Sequence, residues 1–456
     1  MTSPRPSAYA TGPGHTTSFQ DSARAFREGR DTPRDYLERF IDRIVQAEDD
    51  VRAFVTLTLD DARAAADAST QRYRDGAPAS PIDGLPLGLK DIIHTAGIPT
   101  QAGSAIYEGW IPRLDAPVTA ALKRSGAALA GKTATTEFAY GAVTPARNPY
   151  DLSRTPGTSS SGSAAAVGAG MLPVAVGTQL MSSVMRPAGY CGHVGVKPTY
   201  GSIRQDAVHP FSPSGEHVGF HAHALADAWQ VLREVSAAAG PIPGARGITG
   251  PANLPPRRAP KRLMRMYTDG WKMASAEVRD AFEDTLDRLS DAGVDIVEPD
   301  SGTLLGQIEA DFARADWCIA EVAAFEMRWP FFEYEQEGHG FHARISGLLE
   351  RAHAITLEEY HAALEWKDAF RARYLAAAEI VDGVVGLTAP EVAPVGLENL
   401  GHPVMCSPAS CMGAPALTLP ALCAEGLPLG LQLIGFHNRD ADLFAMAHWV
   451  DDALAR

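Results

Sequence analysis

The stretch that most constrains this chain is Thr155-Pro156-Gly157-Thr158-Ser159-Ser160-Ser161-Gly162-Ser163, which runs without a polar spacer into the apolar Ala164 to Val176. Flexible Gly/Ser linkers separate apolar segments with polar tracts. Here the small residues are fused on both sides to sequence that must be buried, which argues against a linker. A serine cluster leading into an Ala/Val run predicts a loop whose backbone N–H groups open a helix over Ser163 to Ala169. Pro173 is expected to end that helix, with Val174 to Val176 as a short buried strand. Small residues return in Gly177-Thr178-Gln179-Leu180-Met181-Ser182-Ser183, and Arg186 to Gly192 continues in the same style. One loop–helix–strand unit thus carries a serine at each end, Ser159 and Ser183, and can fold them together.

Serine is a weak nucleophile and needs a base. Neither residue sits in a Gly-x-Ser-x-Gly elbow, so the strand–turn–helix geometry of the α/β-hydrolases is not indicated. The base candidate lies upstream, in Gly84-Leu85-Pro86-Leu87-Gly88-Leu89-Lys90-Asp91-Ile92-Ile93. Lys90 stands there in an apolar, Gly/Pro-punctuated segment rather than on a polar face, and burial would make it a base.

Together these blocks resemble the amidase signature family, the Ser-cis-Ser-Lys hydrolases of amide and related C–N bonds. Gly84 to Ile93 is similar to the family's lysine motif, Pro156 to Val167 to its first serine motif, and Gly177 to Thr199 to its nucleophile motif. The likeness extends over nearly the whole chain, through Thr100 to Ser104, Asp115 to Val118, Gly126 to Lys132, Glu137 to Ala139, Asn148 to Tyr150 and Gly426 to Gly435. It implies an α/β amidase signature fold, with a mixed, twisted central sheet covered by helices on both faces. It also implies a catalytic triad of Lys90, Ser159 and Ser183, a cis peptide between Thr158 and Ser159, and no cofactor or metal.

For Lys90 to take a proton near neutral pH its pKa must fall from about 10.4 to about 7 or 8, a desolvation of roughly 3 to 5 kcal/mol. Neutral Lys90 would draw the proton of Ser159, Ser159 that of Ser183, and Ser183 would attack the carbonyl to give an acyl-enzyme. The backbone N–H groups of Gln179, Leu180, Met181 and Ser182 are the candidate oxyanion donors. At this point the chain departs from the pattern it resembles, since small residues, often Gly-Gly or Ala-Gly, usually stand where Leu180, Met181 and Ser182 do. Thr158 also replaces a usual glycine. Arg186 is expected to brace the loop, with gripping a substrate carboxylate as the alternative. Asp91 and His217 read as structural, and His221-x-His223 has no further ligand nearby to suggest zinc.

The length of 456 residues with 45% apolar content supports a large core, and the resemblance implies one domain over 18–456 after a disordered stretch 1–17. Its core is expected over 81–238 and 380–456. The region of about 300–378 is expected to be helical and variable, as a pocket or lid. Its aromatics make Trp317, Trp329 and Phe332 candidate substrate contacts, against the plainer reading of a helical layer burying its rings. Periodicity predicts helices over Phe19 to Ala47, Leu59 to Tyr73, Val118 to Gly126 and Ala276 to Ala292, and strands over Ala127 to Ala130, Ile380 to Leu387, Ala416 to Leu419 and Leu429 to Ile434.

A net charge of −15 argues against nucleic acid or an anionic membrane as partner. Five cysteines without a CxxC pair fit reduced thiols in a cytoplasmic protein. The expected partner is a small amide or carbamate; the family resemblance allows a homodimer, while the sequence itself does not set the oligomeric state. Two functional readings stand beside an amidase of aryl amides and urethanes. One is the glutamine-hydrolysing A subunit of a tRNA-dependent amidotransferase, working in an obligate complex. The other is a weakly active binding module on the same fold.

Overall fold

Strands that are apolar along their whole length need cover on both faces. In the computed structural model, which describes residues 18–141 and 143–455, such strands form the middle of one large sheet. The expected disordered stretch 1–17 lies outside the described residues. The sheet contains β1 (Phe54–Leu57), β2 (Pro86–Lys90), β3 (Ala128–Thr133), β4 (Val174–Gln179), β5 (Val194–Lys197), β6 (His217–Ala222), β7 (Arg262–Arg265), β8 (Asp295–Val297), β9 (Gly383–Leu387), β10 (Ala416–Ala424) and β11 (Leu427–Ile434). Their spatial order is β1-β3-β2-β4-β6-β5-β10-β11-β9-β7-β8. Pairing is parallel at β3/β2/β4 and β9/β7/β8 and antiparallel elsewhere. This is a mixed α/β architecture with helices packed over the sheet.

The Gly/Ser stretch folds as a loop and then a helix, Ser161–Gly168, buried along its entire length. It starts two residues earlier than the pattern suggests. Gly170, at φ 67°, ends it, and the N–H of Gly170 donates to the Val167 carbonyl. A left-handed glycine therefore supplies the stop, and Pro173 only follows it. Gly162 is needed for close approach: a Cβ there would stand 2.2 Å from the Ala53 carbonyl oxygen and 2.3 Å from the Ala134 nitrogen.

Elsewhere the periodicity locates elements better than their ends. The segment from Phe19 to Ala47 resolves into two helices, Phe19–Arg27 and Pro33–Val51. Gly29 at φ 68° breaks the first, and Thr32 Oγ1 caps the second by accepting from the Asp35 N–H at 3.0 Å. The other predicted helices appear as Leu59–Arg74, Pro117–Arg124 and Ala276–Asp291. β3 runs on to Thr133 because Lys132, though buried, donates to the Ile93 carbonyl at 2.8 Å and to Thr100 Oγ1 at 2.7 Å. β10 and β11 lengthen into a hairpin whose turn residues Glu425 and Gly426 both have positive φ. β9 is shorter than expected and begins only at Gly383.

Residues 304–376 form the helices Leu304–Phe312, Ala315–Glu326, Arg328–Gln336, Ala343–Ala354 and Leu357–Ala376. Among the described residues no helix is long and apolar enough to cross a membrane.

Candidate active site

Lys90 is the last residue of β2 and Gln179 the last of β4, and the two strands run parallel with Leu89 opposite Val176. Their C-terminal ends therefore deliver Lys90 and Thr178 to the same edge of the sheet, where open α/β sheets place their ligands. The serine loop is tied to that edge by Ser160. Its Oγ donates to the Thr178 carbonyl at 3.1 Å, and its N–H donates to the Ser183 carbonyl at 3.3 Å.

These ties bring Lys90 Nζ to 2.6 Å from Ser159 Oγ and 2.9 Å from Thr178 Oγ1. The Thr158–Ser159 peptide is cis, as the resemblance implies. Ser159 and Ser183 line one small pocket, together with Tyr140, Leu180, Met181 and Arg344. Lys90 is fully buried. That burial pushes its ammonium from an ordinary value near 10.5 down to about 7, opposed by the nearby carboxylate of Glu216. Burial also raises Glu216, to about 7.

Between the two serines, the backbone turns out of the sheet. Gln179 is still paired with His217 of β6. Among the described residues, the N–H groups of Leu180, Met181, Ser182 and Ser183 donate to no protein acceptor, whereas those of Val184 and Met185 both donate to Gln179 Oε1, at 2.8 and 2.9 Å. Unspent N–H groups beside a candidate nucleophile are what an oxyanion hole needs. None of Leu180, Met181 and Ser182 has a positive φ, so this backbone path does not require glycine.

Residues 35–444 match the family Amidase. The chain belongs to the amidase family. It is 32% identical to the A subunit of the glutamyl-tRNA(Gln) amidotransferase of Roseiflexus sp. (strain RS-1), over 92% of this chain and 93% of that one. It is 34% identical to the corresponding protein of Anaeromyxobacter sp. (strain K), over 92% of each. Among solved structures, a crystal structure of an amidase superposes with a TM-score of 0.82 at 27% identity, covering 96% of this chain and 99% of that one. The peptide amidase of Stenotrophomonas maltophilia follows at 0.79 and 26%, covering 96% and 97%. As an amidase-family member the chain is a serine amidohydrolase of C–N bonds.

In this amidase Arg186 is buried, and its guanidinium is largely spent on backbone. Nη1 donates to the Gly401 carbonyl at 2.9 Å, and Nη2 to the Thr158 carbonyl and hydroxyl at 3.2 and 3.1 Å. Those contacts brace the loop that carries Ser159. Its Nε alone has no partner.

The aromatics named as substrate contacts lie elsewhere. Trp317 packs edge-on against Trp366 under Arg314, Trp329 is 67% exposed, and Phe332 stacks on His353 with ring centroids 4.4 Å apart. None of the three lines the Ser183 pocket. Phe331 and Tyr334 instead close an aromatic cluster with Phe138 and His209. The helical layer thus spends Phe331 and Tyr334 on packing and leaves Trp329 at the surface, and the pocket residue it contributes is Arg344. Sequence reasoning passed over Arg344, Tyr140, Thr136 and Pro403, none of which carries a motif.

Asp91 accepts from the Gln101 N–H at 3.0 Å and faces Lys132, a structural use. His221 pairs with His193 at 2.9 Å. Among the described residues no group of three or more His, Cys, Asp or Glu side chains is arranged to hold a metal.

A base with a pKa near 7 has a kinetic signature. In this amidase kcat/KM is expected to rise with pH through a limb near pH 7, as Lys90 loses its proton. The carboxylate of Glu216 holds that proton on, so Glu216→Gln is expected to move the limb to lower pH by about half a unit to one unit. A pH–rate profile of the two proteins checks this.

Proposed function

We propose that this amidase hydrolyses small amides, aryl amides and carbamates among them, through an acyl-enzyme on Ser183. The observation that carries the reading is the 2.6 Å approach of Lys90 Nζ to Ser159 Oγ at a pocket that Ser183 also lines. Neutral Lys90 accepts the Ser159 proton as Ser159 accepts that of Ser183, and Ser183 Oγ bonds to the carbonyl carbon. The carbonyl oxygen takes the negative charge and is met by the N–H groups of the 180–183 turn. The relay then runs backwards, protonating the leaving nitrogen as the C–N bond breaks. Water attacks the ester by the same route and frees the acid. Leu180, Met181, Ala139 and Tyr140 on the pocket wall support an apolar acyl group.

A second reading is favoured by Arg344, whose guanidinium lies 5.3 Å from the Tyr140 ring centroid and makes no ion pair among the described residues. A free cation on the wall of the Ser183 pocket suits an amide whose acyl half carries a carboxylate, such as glutamine. The relatives named as amidotransferase A subunits support the same alternative.

A panel separates the readings: a p-nitroanilide, an aryl carbamate, malonamate and glutamine, tested with wild type and Arg344→Ala. Turnover of the anilide or carbamate by the isolated chain supports the free-standing amidase. If the carboxylate-bearing amides are also substrates, Arg344→Ala is expected to raise KM for them about 10-fold and leave the neutral amides within about 2-fold. Turnover of glutamine alone, or only with an added partner, transfers the case to the amidotransferase reading.

A further inference from the structure

The turn that carries the unspent N–H groups is held from behind by two side chains far apart in sequence. Gln179 is fully buried and uses both ends of its amide. Oε1 accepts from the N–H groups of Val184 and Met185, and Nε2 donates to Ser410 Oγ at 3.0 Å. Ser410, itself 2% exposed on the short helix Ser407–Cys411, donates to the Met181 carbonyl at 2.9 Å. A closed circuit thus runs from Gln179 through Ser410 to Met181 and from Gln179 again to the backbone just past Ser183.

The direction of these bonds fixes the direction of the remaining donors. The Met181–Ser182 peptide is trans, since the cis bonds among the described residues lie elsewhere. In a trans peptide C=O and N–H point to opposite sides. With the Met181 carbonyl held by Ser410, the Ser182 N–H must point away from Ser410. Ser410 lines a separate, narrow cavity behind Leu180, with Cys318 and Ile319, whereas Met181, Ser182 and Ser183 line the reaction pocket. A donor aimed away from Ser410 is thus free to face the reaction pocket that Ser182 lines. Met181 and Ser182 already restrict their own backbones more than glycine would, and the circuit adds a fixed hydrogen bond on the Met181 carbonyl that any rotation of this peptide would have to break.

We infer that Ser410, acting through Gln179 and the Met181 carbonyl, is a positioning residue that aims the Ser182 N–H at the developing oxyanion. The inference rests on the reading of Ser183 as nucleophile. It assigns no contact between Ser410 and substrate. Its effect belongs to the tetrahedral state, because the charge it serves does not exist in the bound amide.

The test compares wild type with Ser410→Ala, Ser410→Thr and Ser183→Ala, each checked for native circular dichroism. Steady-state kinetics are measured on the best substrate of the panel, with inhibition by a boronic acid that becomes tetrahedral on the nucleophile and by the product acid as a ground-state ligand. Ser410→Ala is expected to lower kcat about 10- to 100-fold with KM within about 3-fold. It should weaken the boronic acid by a similar factor and leave the product acid unchanged. Ser410→Thr, which keeps the hydroxyl, should recover most of the rate. Full activity in Ser410→Ala, or a loss with unchanged boronic acid affinity, overturns the inference while leaving Ser183 in place. Activity surviving in Ser183→Ala overturns the underlying reading instead. If Ser410→Ala fails to fold, the threonine variant decides: a kcat as low as that expected for alanine, despite its hydroxyl, also refutes the assignment.

Discussion

Replacing Ser183 by alanine is expected to lower kcat by on the order of 10⁴- to 10⁶-fold on every substrate the wild type accepts, with little change in KM or folding. The size follows from what the hydroxyl does. In the proposed relay it is the only atom that bonds to carbon, so no neighbour would substitute for it, and the residual rate would be what the proposed oxyanion donors give an unassisted water. Folding should be spared because Ser183 enters the surrounding network through its backbone carbonyl, which accepts from the Ser160 N–H, and its side chain is only partly buried. Ser159→Ala should be nearly as damaging to kcat, since Lys90 then has no hydroxyl through which to act. The double variant should be little worse than either single one, because groups that act as a unit are not additive. Single-turnover kinetics with mass spectrometry check the assignment directly. Wild type should accumulate an acyl adduct on Ser183 with an activated carbamate, and Ser183→Ala should not. An adduct elsewhere would remove Ser183 from the mechanism.

How much of this was legible in the sequence differs by kind of residue. The loop, helix and strand from Thr155 to Ser183 were readable because burial there is written in small apolar residues, with serines at both ends. Strand ends were hidden where polar side chains are buried with partners. Lys132 and Lys197 both lie inside the sheet, each donating to main-chain carbonyls, and each reads as a surface residue in a linear pattern. Burial likewise pushes the Lys197 ammonium down, to about 7. A low pKa therefore does not single out Lys90. What does is the partner, a hydroxyl that lines the pocket rather than a carbonyl.

Arg344 was invisible for the opposite reason. It is a charged residue in the first turn of a helix, a normal surface pattern, and only the three-dimensional path brings it to Tyr140. The Gln179–Ser410 bond spans 231 residues, so no local pattern could show it. The aromatic segment misled because clustered rings mark either a binding wall or a packing layer, and sequence spacing is the same for both.

Lys90→Met is expected to lower kcat by about 10³-fold while making the folded protein more stable at neutral pH. The two effects share one cause. The unfolded chain holds its Lys90 proton up to about pH 10.4, whereas burial brings the folded value down to about 7. Between these limits the unfolded state binds a proton that the folded state lacks, so wild-type stability rises with pH across the window. Below about pH 7 the cost of burying the ammonium is present in full, and above about pH 10.4 it is gone. At pH 7 the difference corresponds to roughly 4 kcal/mol. The hydrogen bonds to Ser159 and Thr178 offset part of it, at about 1 kcal/mol each. Methionine fills similar volume without the charge, so Lys90→Met should gain about 2 to 4 kcal/mol at pH 7 and lose most of that advantage near pH 10. Thermal or urea unfolding of the two proteins at both pH values reads the sign. If the variant is no more stable than wild type at pH 7, or if its advantage grows with pH, Lys90 is not a buried base held neutral at the expense of stability. It would then be a charged structural lysine, and the relay through Ser159 would lose its proton acceptor.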